Sequence, residues 1–258
     1  MGFRDLVDGS REVIDPVSVN FQMREESFSS GNEALLFTNI VESPGHSAVM
    51  NILTRERLCK AFAVEPGELI DILAWAMENP SDPISIDAKD APVLQNKMND
   101  ADLTKMPIPW HYEEDGGRYQ SASIIIAQYD GERNASFHRQ LVKSEKSTCV
   151  RLVPRHLRTM VDKAQERGEE VSIAVVNGPD PVVLLAAAMS FNEPLDELRV
   201  ASALHERLYG KELEVVELEN GVIVPANSEY AMEARITTRT SEEGPYVDIT
   251  GTLDDIRL

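Results

Sequence analysis

Residues 118–142 read RYQSASIIIAQYDGERNASFHRQLV, and this stretch decides the fold class. The segment RYQSASIIIAQYDGE is rich in β-branched and aromatic residues and closes on Asp130-Gly131, which predicts a strand ending in a turn. ASFHRQLV and STCVRLVP are predicted as two more strands around the polar segment KSEK. From residue 118 onward the sequence is therefore typical of a sheet protein.

Helices are predicted between the later strands. PRHLRTMVDKAQERG has an amphipathic period, with Pro154 at its start and Gly168 as the C-cap candidate. DPVVLLAAAMS reads as a buried helix and LDELRVASALHERL as an amphipathic one. VSIAVVNG, LEVVELENG, YAMEARITTRT and PYVDITGTL are predicted strands. We expect an α+β, barrel-like fold built on a mostly antiparallel sheet with interposed helices.

The first 105 residues have a different composition. NEALLFTNI and HSAVMNIL are predicted strands, TRERLCKAFAV is a helix with Thr54 as its N-cap, and GELIDILAWAMENP is a second helix. The stretch from 80 to 117 is rich in Pro, Asp and Asn, which is typical of a boundary region. We predict a small α/β domain over residues 1–105 and a second domain over residues 106–258.

The charge balance limits the possible partners. The chain has 258 residues, 44 acidic against 25 basic side chains and a net charge of −19, which argues against general affinity for nucleic acids or anionic membranes. The N-terminus lacks the basic and apolar regions of a signal peptide, and the apolar runs are too short to cross a bilayer. Its two cysteines lie far apart and fit no metal spacing. We expect a soluble, cytoplasmic protein with reduced thiols.

Common catalytic signatures are absent from the sequence: it has no Walker-type loop, GxGxxG, HExxH, GxSxG or CxxC pair. One candidate is Arg139, which would share a strand face with Phe137 and Leu141 and would then need a carboxylate partner. The alternative is an exposed edge strand with Arg139 in solvent. His156, in the first turn of its helix, is either a ligand or a surface or capping residue.

Four carboxylates complete the set of candidates. Asp196 and Glu197 open a helix, where the helix dipole alone would explain acidic residues. Glu243 and Asp248 flank Gly244-Pro245, which forms either a plain polar turn or a turn that holds a carboxylate over a pocket.

Taken together, the candidates suggest two kinds of site. Asn134, His156 and Glu197 could supply oxygen and nitrogen ligands to a divalent ion. Arg139 and one carboxylate would form a polar pair nearby.

The order of motifs resembles the UbiD-like decarboxylases, which use a prenylated flavin. The resemblance rests on RYQSASIIIA, NASFHRQLV, PRHLR, GPDPVVLLAAAM, DELRVASAL, VPANSEYAMEA and EEGPYVDITG, in that order. It covers residues 105–253 closely and residues 1–105 more loosely. It implies that residues 106–258 form a split β-barrel, flavin-binding domain with interposed helices.

The resemblance also implies roles for individual residues. Asn134, His156 and Glu197 match the ligands of a Mn²⁺ or Mg²⁺ ion that binds the phosphate of prenylated FMN, with K⁺ beside it. Arg139 and Glu243 match a catalytic arginine and a proton donor, and Asp248 matches a second acidic position, where many members have Glu. The cofactor-binding residues implied are Asn134, Phe137, Arg139, Arg155, His156, Met189 and Glu197.

The implied reaction is the non-oxidative decarboxylation of an α,β-unsaturated acid. The archaeal branch of the family, which forms isopentenyl phosphate from trans-anhydromevalonate 5-phosphate for isoprenoid biosynthesis, is the most similar. The alternatives are a decarboxylase of a (polyprenyl)hydroxybenzoate or other aromatic or acrylic acid, and a non-catalytic flavin-binding subunit. A small-ligand-binding domain without chemistry is the third possibility.

A phosphorylated substrate predicts a second basic locus, for which Arg118, Arg151 and Arg155 are candidates. Family members usually continue into a C-terminal domain that helps to cover the flavin and mediates assembly. We therefore expect a homo-oligomer, or a hetero-oligomer with a chain that supplies that domain.

Overall fold

The computed structural model describes residues 2–189 and 195–257. The α-helices are α1 (Phe3–Val7), α2 (Gln22–Ser29), α3 (Arg55–Phe62), α4 (Pro66–Glu78), α5 (His156–Glu166), α6 (Pro181–Ala188) and α7 (Glu197–Tyr209). The strands are β1 (Arg11–Val13), β2 (Leu35–Phe37), β3 (Ala48–Met50), β4 (Ile84–Ser85), β5 (Tyr119–Gln120), β6 (Ile124–Tyr129), β7 (Glu132–Phe137), β8 (Gln140–Ser144), β9 (Ser147–Val150), β10 (Val171–Asn177), β11 (Glu214–Glu217), β12 (Ile223–Pro225), β13 (Tyr230–Ile236), β14 (Tyr246–Val247) and β15 (Leu253–Asp254). Within the described ranges, no helix has both the length and the apolar content to cross a lipid bilayer.

The central element is an antiparallel sheet with the strand order β13-β10-β6-β7. Alternate residues of β6 face opposite sides of this sheet. Ile124 and Ile126 pack in the cluster that includes α6 and α7, whereas Ile125 and Ala127 pack against α5. All four side chains are fully buried. The continuous apolar run at 124–127 is therefore explained by helices on both faces of the sheet.

Four smaller sheets surround this core. They have the orders β1-β2-β3, β12-β11-β4, β5-β8-β9 and β14-β15. Mixed helices and sheets confirm the predicted α+β class. The sheets are open among the described residues, so the split-barrel description stays a prediction.

Most helices lie where the sequence pattern predicted them. The Thr54 side chain accepts a hydrogen bond from Arg57 N, as an N-cap does. Gly168 has a φ of 73°, the left-handed conformation expected just beyond a helix end. Pro154 lies outside α5, which begins at His156. The predicted buried helix ended at Ser190, which lies outside the described residues; its described part is α6.

The prediction of one strand over residues 135–142 is wrong. β7 ends at Phe137 and pairs with β6, whereas β8 begins at Gln140 and pairs with β5. The chain leaves one sheet for another at residues 138–139, so the regular alternation of side chains does not continue through this point. Arg139 is therefore placed by a junction between sheets, and the face-sharing argument with Phe137 and Leu141 does not apply.

The largest apolar cluster includes residues from both sides of position 105. It contains Leu6, Phe62 and Leu69 together with Val176 and Leu204. β4 also pairs in parallel with β11, which lies more than a hundred residues later in the chain. The division into domains at residues 105 and 106 stays a prediction, and the two parts share one core.

Candidate active site

A buried Arg139–Glu243 pair is the centre of the site. Nε of Arg139 donates to Glu243 Oε1 at 2.9 Å, and Nη2 donates to Oε2 at 2.9 Å. Glu243 is 2% exposed, so the fork of two parallel hydrogen bonds compensates its loss of water. Glu243 N and O are both bonded to the backbone of Arg257, which fixes the main chain beneath the carboxylate.

Two tyrosines enclose this pair. The Tyr119 hydroxyl donates to Glu243 Oε1 at 3.0 Å and lies 3.3 Å from the Pro245 carbonyl oxygen. The Arg139 guanidinium lies 4.5 Å from the centre of the Tyr246 ring, which meets the Tyr119 ring edge-on at 4.7 Å. Burial and the charge of Glu243 raise the pKa of Tyr119, so this hydroxyl remains a donor over the physiological range.

The segment after Glu243 is fixed by close backbone packing. The Gly244-Pro245 bond is cis, and Gly116 N donates to Pro245 O at 2.8 Å. Asp115, 4% exposed, accepts from Val247 N at 2.8 Å and from Tyr112 N at 3.1 Å. The segment at 112–116 therefore holds the turn that carries Glu243.

The second carboxylate on Arg139 belongs to Asp254. Arg139 Nη1 donates to Asp254 Oδ2 at 2.8 Å, and Arg151 Nη1 donates to the same oxygen at 2.5 Å. Asp248, which the sequence placed beside Glu243, caps the turn between β14 and β15 instead. Its Oδ1 accepts from Thr250 N, Thr250 Oγ1 and Thr252 N, and these bonds lower the pKa of Asp248.

Two of the three predicted metal ligands are in contact. Asn134 Nδ2 donates to Glu197 Oε1 at 2.9 Å, and Ala135 N donates to Glu197 Oε2 at 2.8 Å. Asn134 and Glu197 are each 4% exposed. Burial raises the pKa of Glu197 to about 7, against the opposing effect of these hydrogen bonds. The adjacent Arg133–Asp196 ion pair also ties β7 to the start of α7.

The remaining predicted residues lie at element ends. His156 is the first residue of α5 and Arg155 is its N-cap. Phe137 ends β7 and Met189 follows α6, and both are partly buried against the main core cluster. The structure brings Asn134 and Glu197 together, while His156 is placed only by its position at the start of α5.

The donor set is chemically suited to a divalent cation. Carboxylate and amide oxygens are the ligands that Mg²⁺ and Mn²⁺ prefer. A cation would also stabilise the ionised form of the buried Glu197. Among the described residues no three His, Cys, Asp or Glu side chains form a metal cluster. The predicted set contributes only two residues of those types, Glu197 and His156, beside the amide of Asn134.

Several residues of the site were missed from the sequence. Tyr119 and Tyr246 were read only as strand residues, and Asp254 was given no role. Asp115 and Gly116 were assigned only to the predicted boundary region between the two domains. The available signal was the DGG sequence at 115–117, which indicates a tight turn, but nothing local shows that this turn packs on Gly244.

The fold and the site define a class: an α+β protein with a buried arginine–carboxylate pair and a separate buried amide–carboxylate pair. A family model described as the 3-octaprenyl-4-hydroxybenzoate carboxy-lyase Rift-related domain (UbiD) matches residues 85–258. The anhydromevalonate phosphate decarboxylase of Methanothermobacter thermautotrophicus is 37% identical over 250 residues, which are 95% of this chain and 57% of that protein. The protein of the same name from Methanosarcina mazei is 34% identical over 267 residues, covering 100% of this chain and 60% of that protein.

Solved structures agree with this similarity. The UbiD-class enzyme HmfF from Pelotomaculum thermopropionicum, in complex with FMN, superposes with a TM-score of 0.92 at 28% identity, over 100% of this chain and 60% of that one. The chain belongs to the UbiD-like carboxy-lyase family. It spans 57% of the length of the Methanothermobacter relative and 60% of the Methanosarcina relative.

Proposed function

We propose that this chain forms the flavin- and acid-binding part of a decarboxylase that uses prenylated FMN. The proposed substrate is trans-anhydromevalonate 5-phosphate, with isopentenyl phosphate and carbon dioxide as products. The buried Arg139–Glu243 pair is the observation that supports an acid–base reaction here, and the names of the archaeal relatives support this substrate. A hydroxybenzoate or another unsaturated acid is the alternative substrate.

Arg139 is suited to hold the carboxylate of the substrate. Its guanidinium binds two carboxylates, those of Glu243 and Asp254. The same forked arrangement of N–H donors matches the carboxylate of a substrate. The prenylated flavin, when bound, supplies the electron sink that makes loss of carbon dioxide possible. The residues of the chain then position the acid, exclude water and deliver one proton to the carbon that has lost carbon dioxide.

We assign that proton to Glu243. In the structure, both of its oxygens accept hydrogen bonds, from Arg139 and from Tyr119, which suits the ionised form. To carry a proton, one oxygen must lose a donor. A substrate carboxylate that binds Arg139 would draw the guanidinium away and leave Glu243 free to be protonated. Asp248, five residues later in the same segment, is the competing candidate.

We also propose a metal site at Asn134, His156 and Glu197 that binds the flavin phosphate through Mn²⁺ or Mg²⁺, with K⁺ nearby. The contact between Asn134 and Glu197 and the burial of both support it. The same proposal places Phe137, Arg155 and Met189 along the flavin. For the phosphate of the substrate we favour Arg151, because Asp254 links it directly to Arg139.

The length of the relatives supports a larger assembly. We propose that a C-terminal domain, on this chain or on a partner, completes the flavin site in a homo- or hetero-oligomer, and that residues 106–258 act as a split barrel around the flavin. A two-chain protein, vanillic acid decarboxylase of Sedimentibacter hydroxybenzoicus, shares the fold with a TM-score of 0.86 at 20% identity.

The test compares Glu243→Gln with Asp248→Asn in protein loaded with prenylated FMN. Single-turnover formation of isopentenyl phosphate, the protonated product, from trans-anhydromevalonate 5-phosphate is measured, and the flavin absorbance shows that each variant retains the cofactor. We expect Glu243→Gln to slow release of the protonated product by about 100-fold or more, the usual contribution of a general acid. Asp248→Asn should have a smaller effect.

The opposite ranking would assign the proton to Asp248. Unchanged rates in both variants would exclude the site, and absence of turnover in the unaltered protein with flavin bound would favour a non-catalytic flavin-binding subunit.

A further inference from the structure

Three consecutive residues of β7 bind the residues that begin α7. Arg133 forms an ion pair with Asp196. Asn134 Nδ2 and Ala135 N each donate to one carboxylate oxygen of Glu197. β7 is an outer strand of the central sheet, so these bonds attach α7 to an edge of that sheet. Asn134 and Glu197 are 63 positions apart in the chain, and their separation in space depends on this attachment.

The Arg133–Asp196 pair is partly sheltered from water. Arg133 Nε lies 3.1 Å from Asp196 Oδ1 and 3.0 Å from Oδ2, and Nη2 donates to Oδ2 at 2.5 Å. The two side chains are 15% and 21% exposed, so solvent and salt screen this pair less than an ion pair on the surface.

Asp196 links the strand to the helix. Its Oδ1 also accepts a hydrogen bond from Leu198 N at 2.9 Å, which makes Asp196 the N-cap of α7. One carboxylate therefore binds both the guanidinium on β7 and the first turn of α7. The next residue on each side, Asn134 on the strand and Glu197 on the helix, is a proposed metal ligand.

Such a link matters because metal coordination is sensitive to geometry. Ligand distances in protein metal sites vary by only about 0.2 Å, and loss of a residue that orients a ligand typically weakens metal binding by about 10- to 100-fold. Arg133 and Asp196 carry opposite charges, so the pair is neutral as a whole. Its effect on a cation would come from where it places the ligands.

We propose that Arg133 and Asp196 are positioning residues for the metal site at Asn134 and Glu197. They hold the start of α7 against β7, so that the two ligands can reach the same Mn²⁺ or Mg²⁺ ion. This inference rests on the proposed metal site and adds two residues that act through the ligands beside them.

Mn²⁺ binding in the presence of saturating FMN tests this role, with electron paramagnetic resonance measuring free and bound Mn²⁺. Arg133→Lys keeps the charge but replaces the forked guanidinium with a single ammonium group. The double variant Arg133→Gln/Asp196→Asn keeps the net charge and leaves an N-cap oxygen on α7. We expect each variant to bind Mn²⁺ about tenfold or more weakly than the unaltered protein.

The matched control is Arg167→Lys, in the Arg167–Asp130 pair. Asp130 lies in the turn between β6 and β7, and neither residue is next to a proposed ligand in the sequence. The pair has one contact, at 3.0 Å, and its side chains are 53% and 49% exposed. Arg167→Lys should bind Mn²⁺ as the unaltered protein does.

Urea unfolding separates positioning from a general loss of stability. The proposal is wrong if the Arg133 variants are less stable but bind Mn²⁺ with unchanged affinity, or if Arg167→Lys weakens binding equally. Arg133→Lys, the smaller change, keeps the test valid if the double variant does not fold. If the unaltered protein binds no Mn²⁺ with FMN present, the proposed metal site is itself wrong, and this inference falls with it.

Discussion

The carboxylate of Glu243 accepts three hydrogen bonds although it is almost fully buried. A buried carboxylate needs such donors, because the cost of removing it from water exceeds what a single contact returns. Arg139 provides two of the bonds, and Tyr119 provides the third from the opposite direction. At the residue scale, the site is therefore a network in which each donor can be removed separately.

Tyr119→Phe removes one of these donors while keeping the ring. We expect the free energy of unfolding to fall by about 1–3 kcal/mol, because Glu243 Oε1 loses a buried partner. Tyr129→Phe is the matched control, since its hydroxyl donates to Glu169 at an exposed position, and its removal should leave stability almost unchanged. Urea unfolding measures both. Equal changes in the free energy of unfolding would show that the buried Tyr119 hydroxyl contributes no more than the exposed hydroxyl of Tyr129.

Asp180 gives the protein a pH dependence unrelated to the candidate active site. This N-cap of α6 is 2% exposed, and burial raises its pKa from 3.8 to about 6. Its neighbour His205, whose Nε2 lies 3.8 Å away, gives no full compensation because burial lowers the pKa of His205. The folded state therefore binds the Asp180 proton more tightly than the unfolded state does.

The contribution of Asp180 to stability should be fully present below its unfolded pKa and be lost as pH rises through about 6, which amounts to roughly 3 kcal/mol. Asp180→Asn keeps an oxygen for Val182 N and cannot ionise. We expect the variant to gain stability over the unaltered protein as pH rises from 4.5 to 7.5, as measured by urea unfolding. A difference that stays constant with pH would contradict the raised pKa.

At the scale of elements, the Glu243 segment depends on a close backbone contact. A Cβ at Gly116 would lie 2.3 Å from the Gly244 carbonyl oxygen, and backbone atoms cannot move aside as a side chain could. Position 116 therefore requires glycine, because any side chain there would clash with the backbone of Gly244. Its contact fixes the turn that presents Glu243 to Arg139.

Gly116→Ala should destabilise the protein by about 1–3 kcal/mol and displace Glu243. Gly67→Ala is the control: Gly67 lies in the first turn of α4, where a Cβ meets nothing within 4 Å, so this change should be neutral or stabilising by up to about 1 kcal/mol. Thermal unfolding compares the two variants. If Gly116→Ala is as stable as Gly67→Ala, the close approach is not a constraint.

At the scale of the whole molecule, the apolar core joins residues on both sides of position 105. α4 contacts α7, and β4 extends the sheet formed by β11 and β12. Trp110 also bonds the N-terminal segment, through Val19 O and Phe21 N. Such shared packing couples the two parts during unfolding.

We expect the chain to unfold as one unit despite the predicted boundary. Hydrogen exchange followed by mass spectrometry at increasing urea should show amides of α4 and of β10 converging on the same free energy of opening. An α4 that opens at clearly lower urea than β10 would support residues 1–105 as an independent domain.

The sequence by itself determined the positions of most helices and strands, because apolar periodicity and end signals are local. It also singled out Arg139 and Glu243 as candidates, although the strand-face argument used for Arg139 does not hold, because Phe137 and Leu141 lie in different strands. The break between β7 and β8 at residues 138–139 could not be predicted from the sequence, because it depends on which sheet each half of the segment joins.

Only the tertiary structure decided the partners of these residues. Glu243 lies 104 positions from Arg139 and Asp254 lies 115 positions from it, so no local pattern could distinguish Asp254 from Asp248 as the second carboxylate. The choice depends on the β14–β15 turn, in which Asp248 Oδ1 accepts three hydrogen bonds and which places Asp254 next to the guanidinium. The local sequence determines the chemistry of each side chain, whereas the partner of that side chain depends on where distant strands end.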